Sequence, residues 1–512
     1  MKKYIPYLIL TLLFFSLGSC KKSYLDTEPS DQISSDKLFD NINNVRVALN
    51  GVYRLLYMQY SDQEQDGHAA IMIVMDFMGE DIVHTAAGTS YFRGAYKWTD
   101  HRAATNDLPY FSYRMYYRVI ANINRILDGI DTVPGATDAE KNPIKGECLA
   151  LRGWAHHMLV QLFAKRYNVV NGVPANNDAS GKPNLGVPIM TTYSEAPQPR
   201  ATVEEVYTQI NKDLDQAIIY LTGASARGIY RTHVDVSVAK GFKARVALTQ
   251  DKWEDAAKYA LEALQGYQLM SNAAYLDGFT DMKNSEWMWG AHQLPEQLPT
   301  YGSFYAYMSS NFNSAHTRPN PKKINQILYG EISNTDVRKK LFCNNVNDYL
   351  NFPGVINAGT GLSEPSQVRA LYMQKKFVVS DPAVSAGDIP FMRAAEMYLI
   401  AAEAKAHRSL NVEAEAILKT LAINRDPSYE TPQDLSGILE IILTQRRIEL
   451  WGEGFRFLDL KRLDKTLNRN GTGTTSTLAT SASMEVPAGD NRWQFLIPRR
   501  EIQANPYMVQ ND

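Results

Sequence analysis

The chain has 512 residues, of which 45% are hydrophobic and 21% are charged, and its formal net charge is -2. This near-neutral balance gives no reason to expect binding to nucleic acid or to anionic lipid. Three cysteines are too few for a disulfide-dense scaffold, and they do not have the spacing of zinc ligands. Aromatic residues are abundant, with 29 Tyr, 18 Phe and 7 Trp, and these rings need a role in packing or in ligand contact.

The first residues have the pattern of a secretory signal that ends at a lipidated cysteine. Two lysines are followed by an apolar run, Tyr7 to Leu17, which is too short to span a bilayer. The small pair Gly18-Ser19 precedes Cys20, as in a lipoprotein cleavage site. We expect residues 1–19 to be removed and Cys20 to carry the lipid anchor. The alternative is an ordinary secretory signal that has a cysteine near its cleavage site by chance.

Further along the chain, apolar residues recur at helical spacing in several segments. Thr202, followed by Glu204 and Glu205, predicts the start of one of these helices. Faces rich in alanine permit close helix packing, and the helix pairs resemble degenerate tetratricopeptide units. The predicted helical segments are 119–130, 151–163, 203–221, 236–249, 252–265, 392–407 and 413–421.

Long stretches between these helices have a different composition, because they are rich in Gly, Pro, Asn, Ser and aromatic residues. Loops of such length are usually functional or disordered, and their aromatic content argues against disorder. We therefore expect loop-rich insertions at residues 62–107, 171–200, 271–388 and 468–491.

Several motifs, in their order and spacing, resemble the SusD/RagB family of outer-membrane lipoproteins. The C-terminal half contains FMRAAEMYLIAAEA at 391–404, QRRIELWGEGFRFLDLKR at 445–462 and FLIPRREIQANP at 495–506. In the N-terminal half, LDTEP at 25–29 and ALNGVY at 48–53 agree with the same pattern. The resemblance covers nearly all of the chain after Cys20.

This resemblance implies a mainly α fold, in which a tetratricopeptide-like scaffold carries long insertions and little β structure. It implies one SusD-like domain over residues 20–512, with an N-terminal part at about 21–222 and a C-terminal part at about 270–512. It further implies a lipid-anchored protein at the cell surface of the outer membrane. Such a protein captures a glycan and delivers it to a SusC-like TonB-dependent transporter, without catalysis and without a cofactor.

Sugar recognition gives the loop aromatics a physical role, because the apolar C–H face of a pyranose stacks on an aromatic ring while polar groups satisfy its hydroxyls. Trp98 is the strongest candidate. Alternatively, many of these rings simply pack the loops onto the helices. The candidate glycan-binding residues are Asp81, Tyr91, Tyr96 and Trp98 near the first insertion, and Tyr301, Tyr305, Asn311, Phe312 and His316 in a later one.

The charged motifs have a structural interpretation that we favour over catalysis. Glu449 and Glu453 lie four residues apart, and Arg456, Asp459 and Arg462 follow at spacings of three, so that opposite charges can pair along a helix. The histidines show no metal-ligand pattern, and no nucleophile or phosphate-loop motif is present. We therefore predict no catalytic residues and no metal ligands.

Three other functions stay open at this point. Import of peptides or glycopeptides would use the same architecture. A lipid-anchored polysaccharide hydrolase would need two carboxylates about 5–10 Å apart, and a sequence does not show that separation. A helical scaffold that only assembles proteins would bind partners without any affinity for saccharides.

Overall fold

The computed structural model of the protein describes residues 37–84, 91–224, 231–298, 301–314, 320–345, 371–474 and 481–512. Its architecture is mainly α, as the sequence predicts. In the N-terminal half the α-helices are α1 (Ile42–Arg54), α2 (Gly67–Phe77), α3 (Arg93–Lys97), α4 (Asp107–Gly129), α5 (Asp138–Phe163), α6 (Val203–Leu221) and α7 (Val236–Thr249). The later helices are α8 (Trp253–Ala263), α9 (Asn272–Tyr275), α10 (Phe304–Met308), α11 (Gln326–Gly330), α12 (Ala394–His407), α13 (Asn411–Arg425), α14 (Ile438–Glu449), α15 (Arg456–Arg462) and α16 (Arg499–Ala504).

The long helices pack as a layered array. From α4 to α8, each helix contacts the next one along the chain. Helix α12 then packs against α8, α13 and α14. The predicted start of α6 is confirmed: the amide of Glu205 donates to Thr202 Oγ1 over 3.2 Å, and the Glu205 carboxylate accepts from the Thr202 amide over 2.8 Å. This reciprocal capping satisfies amides that have no partner within the helix.

Helix α2 corrects the expected loop at residues 62–107. Every residue from Gly67 to Phe77 is buried, so the helix has no polar face and gives no amphipathic signal. Gly67 starts the helix with a φ of +52°, and a Cβ there would lie 2.2 Å from the carbonyl oxygen of Leu56. A central helix therefore lies where the composition predicts an insertion.

The strands are short and form two-stranded antiparallel sheets. The longest pair, β4 with β6, is wholly buried and joins Trp287 to Arg393 across the sheet. Both tryptophans of β4, Trp287 and Trp289, are therefore core residues. The strands are β1 (Ile82–Val83), β2 (Val169–Val170), β3 (Val173–Pro174), β4 (Trp287–Ala291), β5 (Lys323–Ile324), β6 (Ile389–Arg393), β7 (Leu467–Asn468) and β8 (Glu485–Val486), paired as β1–β5, β2–β3, β4–β6 and β7–β8.

Charged residues of the family motifs meet in the core and pair with one another. Arg393 donates to Glu453 over 2.6 and 2.8 Å and to Glu449 over 3.0 Å. Arg446 and Arg462 each donate to Asp459 over 2.8 Å. These contacts give the motif charges a structural role, because each buried carboxylate has cationic donors.

In the part of the chain that the structure describes, none of the helices has both the length and the apolar character needed to cross a bilayer.

Candidate functional site

The structure places six of the nine predicted glycan-binding residues in the interior. Trp98 is only 3% exposed, its indole N–H donates to the Met78 carbonyl over 2.8 Å, and its ring packs edge-on against Trp493 at 4.8 Å. Its backbone is left-handed, with a φ of +64°, a conformation that a non-glycine residue keeps only where surrounding contacts hold it. These contacts leave Trp98 no face for a sugar ring.

The other buried candidates are occupied in the same way. Asp81 accepts from Arg447 over 2.6 Å, the guanidinium of Arg469 covers the ring of Tyr96 at 4.0 Å, and the Tyr305 hydroxyl donates to the Asp388 carbonyl over 3.0 Å. These side chains are already used in packing and hydrogen bonding, which argues against direct ligand contact by them. The predicted residues that lie in the interior are Asp81, Tyr96, Trp98, Tyr305, Asn311 and Phe312.

Asn311 and Phe312 have a structural role in the second predicted segment. The Asn311 side chain pairs with the backbone of Val379, donating over 2.7 Å and accepting over 2.9 Å. Phe312 packs beneath Tyr301, with 6.2 Å between the ring centroids. His316 and Cys20 lie outside the described residues.

Tyr301 and Tyr91 are the two predicted residues that the structure leaves accessible. Tyr301 is 55% exposed, and Tyr91 is half-buried. Both adjoin the turn at residues 59–66, because the Tyr91 hydroxyl donates to the side chain of Gln63 and Gly302 lies against the side chain of Gln59. A Cβ at residue 302 would lie 3.1 Å from the amide carbon of Gln59, so glycine allows this close approach.

Tyr307 supports this surface from below. Its ring meets the ring of Tyr91 at 5.4 Å in an edge-to-face contact, and its hydroxyl donates to the Gln63 carbonyl over 2.9 Å. We call the surface formed by Gln59, Gln63, Tyr91, Tyr301 and Tyr307 the aromatic face. The two glutamines were not predicted, because no spacing rule connects residues 59–63 with residues about 240 positions later.

Buried carboxyl groups fix the turn that carries the aromatic face. Asp66 accepts the amide of Phe304 over 3.1 Å, so the turn is joined to the start of α10. Burial raises the pKa of Asp66 to about 8 and the pKa of Glu64 to about 7, although a backbone amide opposes the shift in each case. Glu64 accepts from the Phe92 amide and so holds the neighbouring segment. The carboxyl groups of Glu64 and Asp66 therefore hold the segments that carry the aromatic face in position.

Apart from the aromatic face, a cleft of about 330 Å³ lies between α1, β4 and the segment that leads to Tyr301. Two histidines line it, and each is oriented by a carboxylate: His233 lies 2.8 Å from Glu147, and His292 lies 2.8 Å from Asp388. Aromatic side chains, among them Tyr57, share the rest of its wall with aliphatic and polar residues such as Leu56 and Gln297. A cleft that combines rings and polar groups suits a small polar ligand, and we call it the histidine cleft.

Within the described ranges, no group of three or more His, Cys, Asp or Glu side chains is arranged to hold a metal ion. The chemistry that the aromatic face offers is ring stacking together with amide and hydroxyl hydrogen bonds.

Comparisons with known proteins agree with this architecture. Residues 23–248 match the family SusD-like_3, described as starch-binding and associating with the outer membrane. The chain is 22% identical to a SusD-like protein of Formosa agariphila over 91% of this chain and 93% of that protein. A SusD-like carbohydrate binding protein from Bacteroides vulgatus has a TM-score of 0.76 and 25% identity, covering 92% of this chain and 98% of its own.

Another solved structure, of lower sequence identity, is a complex with an oligosaccharide. Surface glycan-binding protein A from Bacteroides thetaiotaomicron, in complex with laminarihexaose, has a TM-score of 0.69 at 17% identity, covering 92% of this chain and 99% of its own. At that identity the likeness shows the fold alone. The helical array and its loops thus define a protein of the SusD superfamily fold. Residues 23–248 match the SusD-like family model, and most of the chain has the fold of SusD-like proteins, in agreement with the resemblance of its motifs.

Proposed function

We propose that this protein is a lipid-anchored binding protein of the outer membrane that captures a saccharide and delivers it to a SusC-like TonB-dependent transporter. It acts by binding, without catalysis and without a cofactor. The family description, which names starch binding and association with the outer membrane, supports the general role. The similarity to a SusD-like carbohydrate binding protein from Bacteroides vulgatus agrees with it.

The aromatic face is the observation that carries the saccharide assignment. Tyr301 presents a ring that is more than half exposed, and Phe312 lies behind it, so little side-chain freedom is lost when a ligand stacks there. Gln59 and Gln63 bring side-chain amides to the same turn, and amides can both donate to and accept from sugar hydroxyls. An exposed ring beside amide groups fits the apolar face and polar edge of a pyranose.

The test is binding of the protein without its leader to a panel of neutral and acidic polysaccharides in affinity gels, followed by calorimetry with the best oligosaccharide. We expect Tyr301→Ala to weaken binding roughly three- to tenfold, since a stacked aromatic contact contributes about 0.5–1.5 kcal/mol. Tyr507→Ala is the matched control, because Tyr507 is similarly exposed, at 60%, and belongs to the C-terminal segment.

Three outcomes would count against the proposal. Equal losses in the two tyrosine variants would show that the aromatic face is not the site. Release of shortened sugars during binding would indicate a hydrolase. Retention of a peptide mixture with no retention of any saccharide would favour peptide import.

Anchoring and delivery need their own measurements. We expect Cys20→Ser to abolish labelling by a radioactive fatty acid and to release the protein from the membrane fraction. Delivery predicts that the protein co-purifies with a TonB-dependent transporter from detergent-solubilised outer membranes. Failure to co-purify would leave the binding role intact and remove the transporter from the proposal.

A further inference from the structure

A second cleft lies at the C-terminal end of α5, about 200 Å³ in volume. Its walls come from the segment after α5, from the end of α15 and from residues 488–494. The aromatic face contributes none of its lining residues. The side chains that matter for its chemistry are Lys165, Asn184, Lys461 and Gln494, and we call it the basic cleft.

Lys461 is a buried lysine at the wall of the basic cleft, and burial lowers the pKa of its ammonium group to about 7. Its side chain is only 6% exposed, and its ammonium donates to the carbonyls of Gln161 and Ala164 over 2.5 and 2.7 Å. Those carbonyls end α5, where the helix dipole favours positive charge. Among the described residues no carboxylate forms an ion pair with this ammonium, which has three donors and uses two of them here.

The acidic side chains of the basic cleft are already paired. Asp464 accepts from Arg166 over 3.0 Å, and Asp490 accepts from Arg492 over 2.8 Å. Lys165, which is half-buried, forms no ion pair with any described carboxylate. The cleft therefore has two lysines without a carboxylate partner, Lys165 and Lys461, and an anionic ligand would favour the charged form of Lys461.

Two buried amides complete the site. Asn184 and Gln494 are 9% and 5% exposed, and their side-chain amides have no hydrogen-bond partner among the described residues. Both line the cleft. Neither amide is among the enclosed polar atoms that have no partner, so both open onto the cleft, where they can donate to the acceptors of a ligand beside the two lysines.

We propose that the basic cleft binds a saccharide through a negatively charged group, either the carboxylate of a uronic acid or a sulfate ester. Lysine ammonium and amide N–H groups are donors for oxyanions, and hydrogen bonds to charged groups are the stronger ones. This inference rests on the proposed function, because it takes the ligand to be a saccharide, and it narrows the cargo to acidic glycans.

The experiment is calorimetry with tetragalacturonic acid, with a neutral tetrasaccharide of the same linkage, with a sulfated oligosaccharide and with inorganic sulfate. We expect an acidic ligand to bind wild type at least tenfold more tightly than the neutral one, with an affinity that falls as salt is added. Lys165→Met should remove most of that difference. Lys212→Met is the control, because Lys212 is an exposed lysine that does not line the cleft.

Gln494→Leu gives a second variant, in case the loss of a lysine alters the fold, and circular dichroism checks both proteins. An acidic ligand that binds no better than the neutral one would overturn the inference, as would an unchanged affinity in Lys165→Met and Gln494→Leu. The proposed function would survive this result if the neutral ligand still depends on Tyr301.

If neither saccharide binds, both the inference and the proposed function fail. If inorganic sulfate binds as tightly as tetragalacturonic acid and displaces it, the assignment to a saccharide is overturned and a simple anion site remains. Preference between the uronate and the sulfated oligosaccharide identifies which charged group the cleft accepts, and either preference supports the inference.

Discussion

Replacing Arg393 with Met should destabilise the protein strongly, because Arg393 lies at the centre of a buried charge cluster. The cluster is balanced, with four cations and four carboxylates that are all at most 4% exposed. Met keeps much of the side-chain volume and removes the charge, so one carboxylate is left without compensation. The members are Arg338, Lys376, Arg393 and Arg425 with Asp336, Glu286, Glu449 and Glu453.

The magnitude follows from the contacts that are lost. Arg393 donates twice to Glu453, once each to the carboxylate and the backbone carbonyl of Glu449, and once to Glu286, and all of these side chains are buried. Breaking a buried pair by removing one partner costs about 3–5 kcal/mol. Typical folding stabilities are about 5–15 kcal/mol, so the loss is a large part of the total.

The loss should also depend on pH. Burial raises the pKa of Glu453, but Arg393 and Lys376 together hold it below its ordinary value. Without Arg393 the burial effect prevails, and the native carboxyl binds its proton more tightly than the unfolded one. Since stability then falls as pH rises through the raised pKa, the deficit of the variant should be smaller in mild acid than at neutral pH.

Urea unfolding followed by circular dichroism measures the effect at both pH values, with linear extrapolation. Arg499→Met is the control, because Arg499 is exposed on α16. In the double variant Arg393→Met/Glu453→Gln, charge balance returns and part of the stability should recover. A loss below about 1 kcal/mol in Arg393→Met, or a double variant no more stable than the single one, would refute the argument that charge balance holds this core together.

Two further predictions separate packing from binding and test a buried carboxyl. Trp98→Ala should lower the free energy of unfolding by about 3–5 kcal/mol, since a large buried ring is lost. The fraction of the variant that stays folded should bind saccharide like wild type. Thermal melting measures the first effect and affinity gels measure the second. A selective loss of binding in stable protein would restore Trp98 as a ligand contact. Burial raises the pKa of Asp66 to about 8, so its carboxyl binds a proton more tightly in the native state than in the unfolded state. Its contribution to the free energy of unfolding is therefore fully present near pH 4 and is lost as pH rises to about 8. Asp66→Asn should flatten the dependence of stability on pH in this range, as measured by urea unfolding at several pH values, and an unchanged slope would contradict the assignment.

The sequence determined the long helices and indicated the resemblance to the SusD-like family. The amphipathic pattern of residues 203–221 and its capping residues are local properties, so the bounds of α6 follow from the sequence. Helix α2 was missed for the opposite reason: it is apolar all round, and a pattern without a polar face carries no period to detect.

Only the tertiary structure decided which aromatic rings face solvent. Trp98 and Tyr301 both occur in aromatic, loop-rich sequence without a clear period, yet Trp98 is enclosed by Trp493, almost 400 residues later, while Tyr301 stays exposed. The basic cleft likewise joins Lys165 to Lys461. Burial and local charge depend on contacts between segments far apart in the chain, and such contacts leave no periodic signal in the sequence.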